Sequence, residues 1–291
     1  MGSSDLAELA QRLPSIAASA GDLEARSLAL PQLECPVVHH FGPGLYVREV
    51  RIPAGAFAVG HHQRCEHLNV FLQGRVLMLG EDGTTRELVA PMIFTGQPGR
   101  KMGLILEDVV WQNIYATEDR NVETLEAMLL DKSPAWLDSD TQRRAEEVAA
   151  RQADRDDFAR VLDESGFDAA TVALQSENEG DQIPMPHGAW PMRVGCSAIH
   201  GRGVLASAPI EPGALIAPAR IGGMRTPAGR YTNHSATPNA RMELLPSGDV
   251  NLVALRSIAG CKGGQDGEEI TIDYRQALSL SGVRCIKRSE S

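Results

Sequence analysis

Short runs of alternating hydrophobic and polar residues dominate the chain from Cys35 to about Leu130. Gly, Pro and Asp-Gly separate these runs, and the sequence EDGT between two of them predicts a hairpin. Strands that follow one another so closely predict a β-barrel or a sandwich. The predicted strands are LYVREVRI, LNVFLQG, RVLMLG, TRELVA, MIFTGQ, GLILE and VWQNIYA.

Residues 131–182 have a helical pattern instead. The stretch TQRRAEEVAARQADRDDFARVLDESG is charged and Ala-rich, with a narrow apolar stripe at Phe158, Val161 and Leu162 and a helix-ending Gly166. FDAATVALQSEN predicts a second short helix, and the prolines of IPMPHGAWP predict a linker. We interpret this section as a connector that packs on a neighbouring part of the chain, with a dimer contact as the alternative.

Short strands return from Met192 onward, separated by the turn sequences GRG, EPG, PSGD and GGQDG. The fold class is therefore predicted to be mainly β, with helical segments at the start and in the middle. The predicted divisions are an N-terminal helical segment at 1–33, a β-barrel unit at 34–130, a helical connector at 131–185 and a second β-unit at 186–291.

Composition and charge exclude several classes of protein. The 291 residues carry a formal net charge of −10; residues 186–291 hold 12 basic and 8 acidic side chains (+4), and the other 185 hold 16 and 30 (−14). This balance argues against nucleic-acid binding. Five cysteines without a CxxC pair argue against a disulfide framework. The sequence has neither a long apolar run nor a signal peptide, so we expect a cytoplasmic protein without a membrane partner.

Three ordered segments of the C-terminal region carry the most specific pattern. They are HGRG at 200–203, RYTNHSATPN at 230–239 and GEEITIDY at 267–274, and SAPIEPGALI follows the first. In this order they resemble the SET domain of protein-lysine methyltransferases, over about residues 193–276. Taken singly, each segment is also compatible with an ordinary turn or an edge strand.

The resemblance implies a binding site for S-adenosylmethionine, formed by Gly201, Arg202, Gly203, Asn233 and His234. The two glycines let the backbone approach a cofactor closely, because neither carries a Cβ. Tyr274 matches the catalytic tyrosine of the family, whose hydroxyl holds the target amine in line with the methyl group. The amine must be neutral, and burial in a dry channel lowers the pKa of a lysine.

The sequence also departs from the SET pattern. Only about 13 residues separate Ile216 from Arg230, which is too short for the insert that forms much of the substrate groove in the family. Ala236 stands where a zinc-binding cysteine is common, and no cysteine-rich tail follows. The cofactor half of the site is therefore better supported than the lysine half, and a reduced or inactive module is the alternative.

Two segments of the N-terminal unit, GHHQRCEHLNVFLQGRVLML and APMIFTGQPGRKMGLILED, resemble the two motifs of the cupin barrel. The cupin pattern implies a divalent metal held by histidine and glutamate, but His67 takes the usual glutamate position and Met102 the usual late histidine position. Candidate ligands are His62 and His67, with His61 or Glu66 as a third. The alternative is that these histidines bind no metal. Trp111 and Tyr115 are predicted to pack in the barrel wall.

Two main functions remain open. The first is an S-adenosylmethionine-dependent protein-lysine N-methyltransferase with an attached cupin and a protein substrate. The second is a structural or assembly protein, because a degenerate cupin joined to a short SET-like unit is similar to accessory proteins of tailed bacteriophages; its partners would then be virion or other structural proteins, and its location the host cytoplasm or the virion. A metal-dependent cupin enzyme is a third option. Cupins commonly dimerise, so a homo-oligomer is expected from the resemblance.

Overall fold

The computed structural model describes residues 20–80, 84–138, 152–263, 265–282 and 285. The described residues form two compact units. The first unit consists of the described residues within 1–119, 124–142 and 261–265, and the second of those within 120–123, 143–260 and 266–291. Strands far outnumber helices, so the predicted mainly β class is confirmed. Among the described residues, no helix combines the length and the apolar character needed to span a bilayer.

Nine strands lie in the described residues of the first unit, and the helices there are short. Helix α1 (Ala20–Leu28) lies within the predicted N-terminal helical segment, and helix α2 (Val122–Leu129) follows the last long strand. The strands are β1 (Val37–Gly42), β2 (Leu45–Ile52), β3 (Phe57–Val59), β4 (His62–Gln63), β5 (His67–Leu79), β6 (Thr85–Val89), β7 (Met92–Gly96), β8 (Met102–Ala116) and β9 (Leu130–Asp131).

Strands β5 and β8 are long enough that each pairs with different neighbours along its length. The first half of β5 pairs with β7 and its second half with β6, while β8 pairs first with β3 and then with β2. The two long strands pair with each other through register shifts between Phe71 and Val76. Gly74 lies in this irregular stretch with φ +99°, and a Cβ there would lie 2.4 Å from the carbonyl oxygen of Asp108. The strand therefore bends where only glycine fits.

The sequence predicted two strands where β5 runs unbroken, and again where β8 runs unbroken. The hairpin expected at EDGT is supported by the antiparallel pairing of β5 with β6, although residues 81–83 themselves lie outside the described residues. Within this unit, pairing runs from β1 through β2, β8 and β5 to β6 without closing, so the predicted closed barrel is not observed among the described residues.

The hydrophobic core of the first unit is built from side chains of its strands and of the loops between them. Phe71 is completely buried and contacts Trp111 at 4.8 Å between ring centroids. Met102 is also buried, beside Leu23 and Leu79, so the methionine at the usual late-histidine position fills space. The remaining members of the main core cluster are Ala56, Val76, Leu88, Ile105 and Val109.

In the second unit, the described residues form two four-stranded sheets, with strand orders β11-β12-β18-β15 and β14-β13-β17-β16. Its helices are α3 (Gln152–Ser165), α4 (Ala169–Glu177), α5 (Pro227–Tyr231) and α6 (Tyr274–Leu280), with a 3₁₀ turn at Glu179–Asp181. Its strands are β10 (Gly188–Trp190), β11 (Met192–Cys196), β12 (Arg202–Ala206), β13 (Leu215–Ile221), β14 (Met224–Arg225), β15 (Asn233–His234), β16 (Ala240–Leu244), β17 (Val250–Ala254) and β18 (Glu269–Ile272).

Helix α3 is the described part of the predicted charged helix; residues 139–151 lie outside the described residues. It ends at Gly166, which has φ +73°, and the backbone N–H of Phe167 donates to the carbonyl of Leu162. Val161 is buried, as the apolar stripe predicts, but Asp154 and Asp157 are buried beside it. Helix α3 of the predicted connector therefore belongs to the second unit and packs within it through a surface that includes carboxylates. Its alternative role as a dimer contact stays a prediction.

Helix α6 begins directly after β18 and packs against strand β16. Asp273 caps its first turn by accepting a hydrogen bond from the backbone N–H of Arg275. One turn later, the side-chain amide of Gln276 accepts from the backbone N–H of Met242 at 3.1 Å and donates to the carbonyl of the same residue at 2.7 Å. Strand β16 lies at the end of its sheet, so Gln276 takes the position of a neighbouring strand.

Candidate functional site

Strand β18 brings the three predicted C-terminal segments together. It pairs antiparallel with β12, which contains the GRG glycine Gly203, and parallel with β15, which consists of Asn233 and His234. Tyr274 follows β18 at the start of α6. Segments separated by up to 74 residues in the sequence (200 to 274) are thus neighbours on one sheet.

The side chain of Asn233 connects two of these segments. Its nitrogen lies 3.0 Å from the carbonyl oxygen of Arg202, 3.0 Å from Ser197 Oγ and 2.8 Å from Glu269 Oε1. Glu269 is buried and also accepts a hydrogen bond from Ser197 at 2.8 Å. These contacts fix the NHS segment against strand β12.

The two glycines of the GRG segment have different surroundings. A Cβ at Gly203 would lie 2.4 Å from Glu269 Oε1, so the buried carboxylate by itself accounts for the glycine at this position. Gly201 has φ +53°, and a Cβ there would meet no atom within 4 Å. Of the two, Gly201 is the one beside open space. Arg202 lies between them with its guanidinium 4.2 Å from the centre of the Tyr231 ring.

His234 is buried, and its tautomer follows from its partners. The backbone N–H of Tyr274 can only donate, and it lies 3.2 Å from Nδ1 of His234, so Nδ1 accepts. The hydrogen therefore sits on Nε2, which lies 3.0 Å from Oδ2 of Asp157. The ring joins β15 to both α6 and α3.

Tyr274 is held by a hydrogen bond and by ring contacts. Its hydroxyl donates to the carbonyl oxygen of Thr232 at 3.0 Å. Its ring lies 5.3 Å from the ring of His234 and 5.8 Å, edge to face, from the ring of Phe158. Burial raises the pKa of Tyr274 to about 12, so the phenol is protonated at neutral pH. Tyr274 can position a substrate group, but it is a poor general base in this state.

Carboxylates of helix α3 complete this cluster. Asp157 accepts from Arg275 at 2.8 Å as well as from His234, and the hydrogen bonds from Arg275 are the main reason why the pKa of Asp157 lies well below its usual range. Asp154 accepts from the Ser235 hydroxyl and from the backbone N–H of Ala236, each at 3.0 Å. Sequence reasoning missed both aspartates, because a charged helix usually directs its acidic residues to solvent.

The first unit has a polar patch on the buried face of its larger sheet. The register places His39, Arg48, Asn113 and Asn69 side by side across β1, β2, β8 and β5. Asn69 Oδ1 accepts from Asn113 at 2.8 Å and from Trp111 Nε1 at 2.9 Å. Trp111 thus packs in the core, as predicted, and also donates to this network.

The next row across the same sheet contains Tyr46, Tyr115 and His67. The rings of Tyr46 and Tyr115 stack at 5.9 Å, and those of Tyr115 and His67 lie 5.4 Å apart. The Tyr115 hydroxyl donates to the side-chain oxygen of Gln63, which is buried. Burial is the main cause of the raised pKa of Tyr115. We call the five residues Gln63, His67, Asn69, Asn113 and Tyr115 the inner polar face.

The predicted metal ligands are not brought together as one ligand set. His62 is exposed, whereas His67 is buried. His61 contacts the Trp136 ring edge to face at 5.2 Å, and burial, with Arg48 and Lys132 nearby, lowers its pKa to about 3. In the part of the chain that the structure describes, no three His, Cys, Asp or Glu side chains are placed to hold a metal ion. The alternative third ligand, Glu66, accepts a hydrogen bond from Gln97 instead.

Solved structures that are similar to part of the chain include several cupins. No protein-family model matches the sequence, and no curated protein matches it either. Among solved structures, a cupin domain from Bordetella pertussis is 20% identical, with 30% of this chain and 98% of the other covered at a TM-score of 0.26. An RmlC-like cupin with a double-stranded β-helix fold from Methanocaldococcus jannaschii is 15% identical (28% and 81% covered, TM-score 0.24). KdgF from Halomonas is 22% identical (26% and 71%, TM-score 0.22). At these scores the similarity carries no argument about a site or an activity.

Proposed function

We propose that the second unit is a SET-like protein-lysine methyltransferase that uses S-adenosylmethionine. The observation that supports this proposal is the convergence of three motif segments on β18. Gly203, Asn233 and Tyr274 come from separate parts of the sequence, and the resemblance requires them to be neighbours. A set of unrelated turns would have no reason to meet on one sheet.

We expect the cofactor to contact backbone groups of this region, because the side-chain nitrogens of Asn233 and His234 already have partners. Gly201 offers the open approach, because a Cβ there would meet no atom within 4 Å and its positive φ turns the backbone sharply. When bound, S-adenosylmethionine supplies a methyl group on a positively charged sulfur. Asn233 and His234 shape the loop beside it, since their side-chain nitrogens already have partners inside the unit.

Tyr274 is the residue we assign to positioning the substrate amine. Its hydrogen points to the carbonyl of Thr232, which leaves oxygen lone pairs able to accept a hydrogen bond from a neutral amine. Since its pKa is about 12, the phenol does not remove the proton of a lysine at neutral pH. The amine must therefore become neutral by desolvation, which lowers the pKa of a buried lysine.

A second candidate function is a non-catalytic interaction module in a structural or assembly protein. The observation that favours it is the hydrogen-bond network: the side-chain nitrogens of Asn233 and His234 and the Tyr274 hydroxyl all have partners within the unit. The segment between β13 and α5 contains only the short strand β14, which agrees with the absence of a groove-forming insert.

Calorimetry with S-adenosylmethionine separates these two candidates. We expect wild type to bind the cofactor and Gly201→Ala to bind it at least tenfold more weakly. Gly248→Ala is the matched control, because Gly248 also has a positive φ (+88°) with nothing within 4 Å of an added Cβ, but lies in the turn between β16 and β17. Equal loss in both variants, or no binding by wild type, contradicts the proposed cofactor site.

Transfer of a labelled methyl group tests the enzymatic step. Wild type should label protein substrates in a cell extract, and Tyr274→Phe should lose most of that activity while still binding the cofactor. Cofactor binding without transfer to any protein by wild type would leave a binding module. Neither binding nor transfer, together with stable self-assembly or association with particles, would support the structural function.

A further inference from the structure

Lys101 contacts the inner polar face through His67. Its Nζ lies 2.7 Å from Nε2 of His67. The other ring nitrogen, Nδ1, lies 2.9 Å from the carbonyl oxygen of Cys65, and a carbonyl can only accept, so Nδ1 carries the ring hydrogen. The lone pair of Nε2 therefore accepts a hydrogen bond from the Lys101 ammonium group. Burial, the largest effect, lowers the pKa of His67, in agreement with a neutral ring.

A divalent metal does not fit this arrangement. Of the two ring nitrogens of His67, only Nε2 has a lone pair in the ring plane that could bind a metal. That lone pair already accepts the hydrogen bond from Lys101. A metal ion bound there would also lie within a few ångströms of a like charge, which is costly at a buried position. The ammonium group thus stands where the cupin resemblance places a metal.

Among the residues that the structure describes, Lys101 has no acidic partner to balance its charge. No carboxylate of a described residue lies within 4 Å of its ammonium group, whose polar contact is Nε2 of His67. The other cations nearby are different in this respect: Arg100 pairs with Glu24 at 2.7 Å, and Lys132 pairs with Glu126 at 3.1 Å. A half-buried charge without a counter-ion is unfavourable unless a ligand supplies one.

The surroundings of Lys101 favour a small anion with two acceptor atoms. After its bond to His67, the ammonium group keeps two N–H donors. Gln63 is buried near the same ring system, and its side-chain oxygen accepts from Tyr115, which leaves its amide nitrogen to donate. One uncompensated positive charge with these donors matches a monocarboxylate better than a phosphate, whose charge of about −2 needs a second free cation.

We propose that the first unit binds a small monocarboxylate at Lys101 and the inner polar face, with the lysine ammonium group in place of a metal ion. This site is separate from the methyltransferase site proposed for the second unit, so a negative result for one proposal does not affect the other.

Binding of acetate and pyruvate, measured by NMR titration of the full chain, tests the site, with acetamide as the uncharged isostere. We expect saturable shifts with both carboxylates, none with acetamide, and at least a tenfold loss of affinity in Lys101→Met. Lys262→Met is the matched control, because it removes the same charge from an exposed position of the same unit. No saturable binding by wild type, or equal affinity in Lys101→Met, overturns the proposal.

Two further measurements keep the test decisive. If Lys101→Met does not fold, Lys101→Gln keeps a polar donor and removes only the charge, and it should show the same loss. Elemental analysis of wild type incubated with Zn²⁺ or Ni²⁺ should find no stoichiometric metal. A stoichiometric metal that disappears in His67→Ala would contradict the assignment of Lys101 to the metal position.

Discussion

Asp157→Ala is the sharpest test of the way in which helix α3 supports the candidate methyltransferase site. The substitution removes a buried carboxylate, 7% exposed, that accepts hydrogen bonds from His234 and Arg275. It leaves the Nε2 hydrogen of His234 without an acceptor in a buried position. Arg275 keeps its second partner, Glu164, at 2.6 Å, so its charge still has an acidic partner.

These contacts determine how far the substitution should lower the free energy of unfolding. A hydrogen bond to a charged group contributes about 1.5–3 kcal/mol, and a buried donor that loses its partner costs a similar amount. Because Glu164 retains Arg275, the loss should stay below the 3–5 kcal/mol typical of a broken buried ion pair. We expect a decrease of about 2 kcal/mol in the local free energy of unfolding, which corresponds to roughly 30-fold faster amide exchange.

The effect should depend on pH with a defined sign. Hydrogen bonds from Arg275 lower the folded-state pKa of Asp157 below the value of about 3.9 in an unfolded chain. The folded state therefore binds fewer protons than the unfolded state at acidic pH. The stabilisation is complete well above pH 4 and is lost as the pH falls below about 4 toward the folded pKa. The difference between wild type and Asp157→Ala should shrink over that range.

Hydrogen–deuterium exchange of peptides that cover α3, β15 and α6 measures this loss directly. The control is Asp156→Ala, which removes the same charge from the adjacent, exposed position of the helix. It should leave exchange in β15 and α6 within twofold of wild type. If both variants speed exchange equally, or if neither does, the proposed support of His234 by Asp157 is wrong.

Three other substitutions, and one control, have defined outcomes. Gly203→Ala places a Cβ 2.4 Å from Glu269 Oε1 and should cost about 1–3 kcal/mol, seen as faster amide exchange in β12 and β18; unchanged exchange would contradict the close packing. Phe71→Ala should lower the free energy of unfolding of the first unit in urea by about 3–5 kcal/mol, whereas Ile93→Ala, at an exposed position, should change it by less than about 0.5 kcal/mol. Tyr274→Phe should cost about 1 kcal/mol by thermal unfolding, through the lost bond to Thr232, and a much larger loss would mean that its hydroxyl has additional structural partners.

The strand pattern predicted most of the strands but not the way they connect. The pattern predicts two strands, LNVFLQG and RVLMLG, yet the chain runs from His67 to Leu79 as one strand with register shifts between Phe71 and Val76. The second long strand, β8, crosses Glu107 and Asp108 in the same way. Periodicity detects a change of face but not whether the chain turns or only bends there.

For the candidate sites, the sequence predicts which segments meet but not which side chains contact one another. The three C-terminal segments were predicted to meet, and they do, because their order and residue types form a joint pattern. The roles of Asp154 and Asp157 had no local signal, since only packing decides which face of a charged helix is buried. Lys101 was likewise hidden: its sequence neighbours do not reveal that its amine reaches His67, 34 positions earlier.

Strand β16 illustrates how this fold avoids unwanted self-association. An end strand offers free backbone donors and acceptors, which can recruit a strand of another molecule and start aggregation. At Met242 the amide of Gln276 occupies both of these groups. A single side chain thus blocks intermolecular strand addition at that point without adding another strand, and it does so from the helix that also begins with Tyr274.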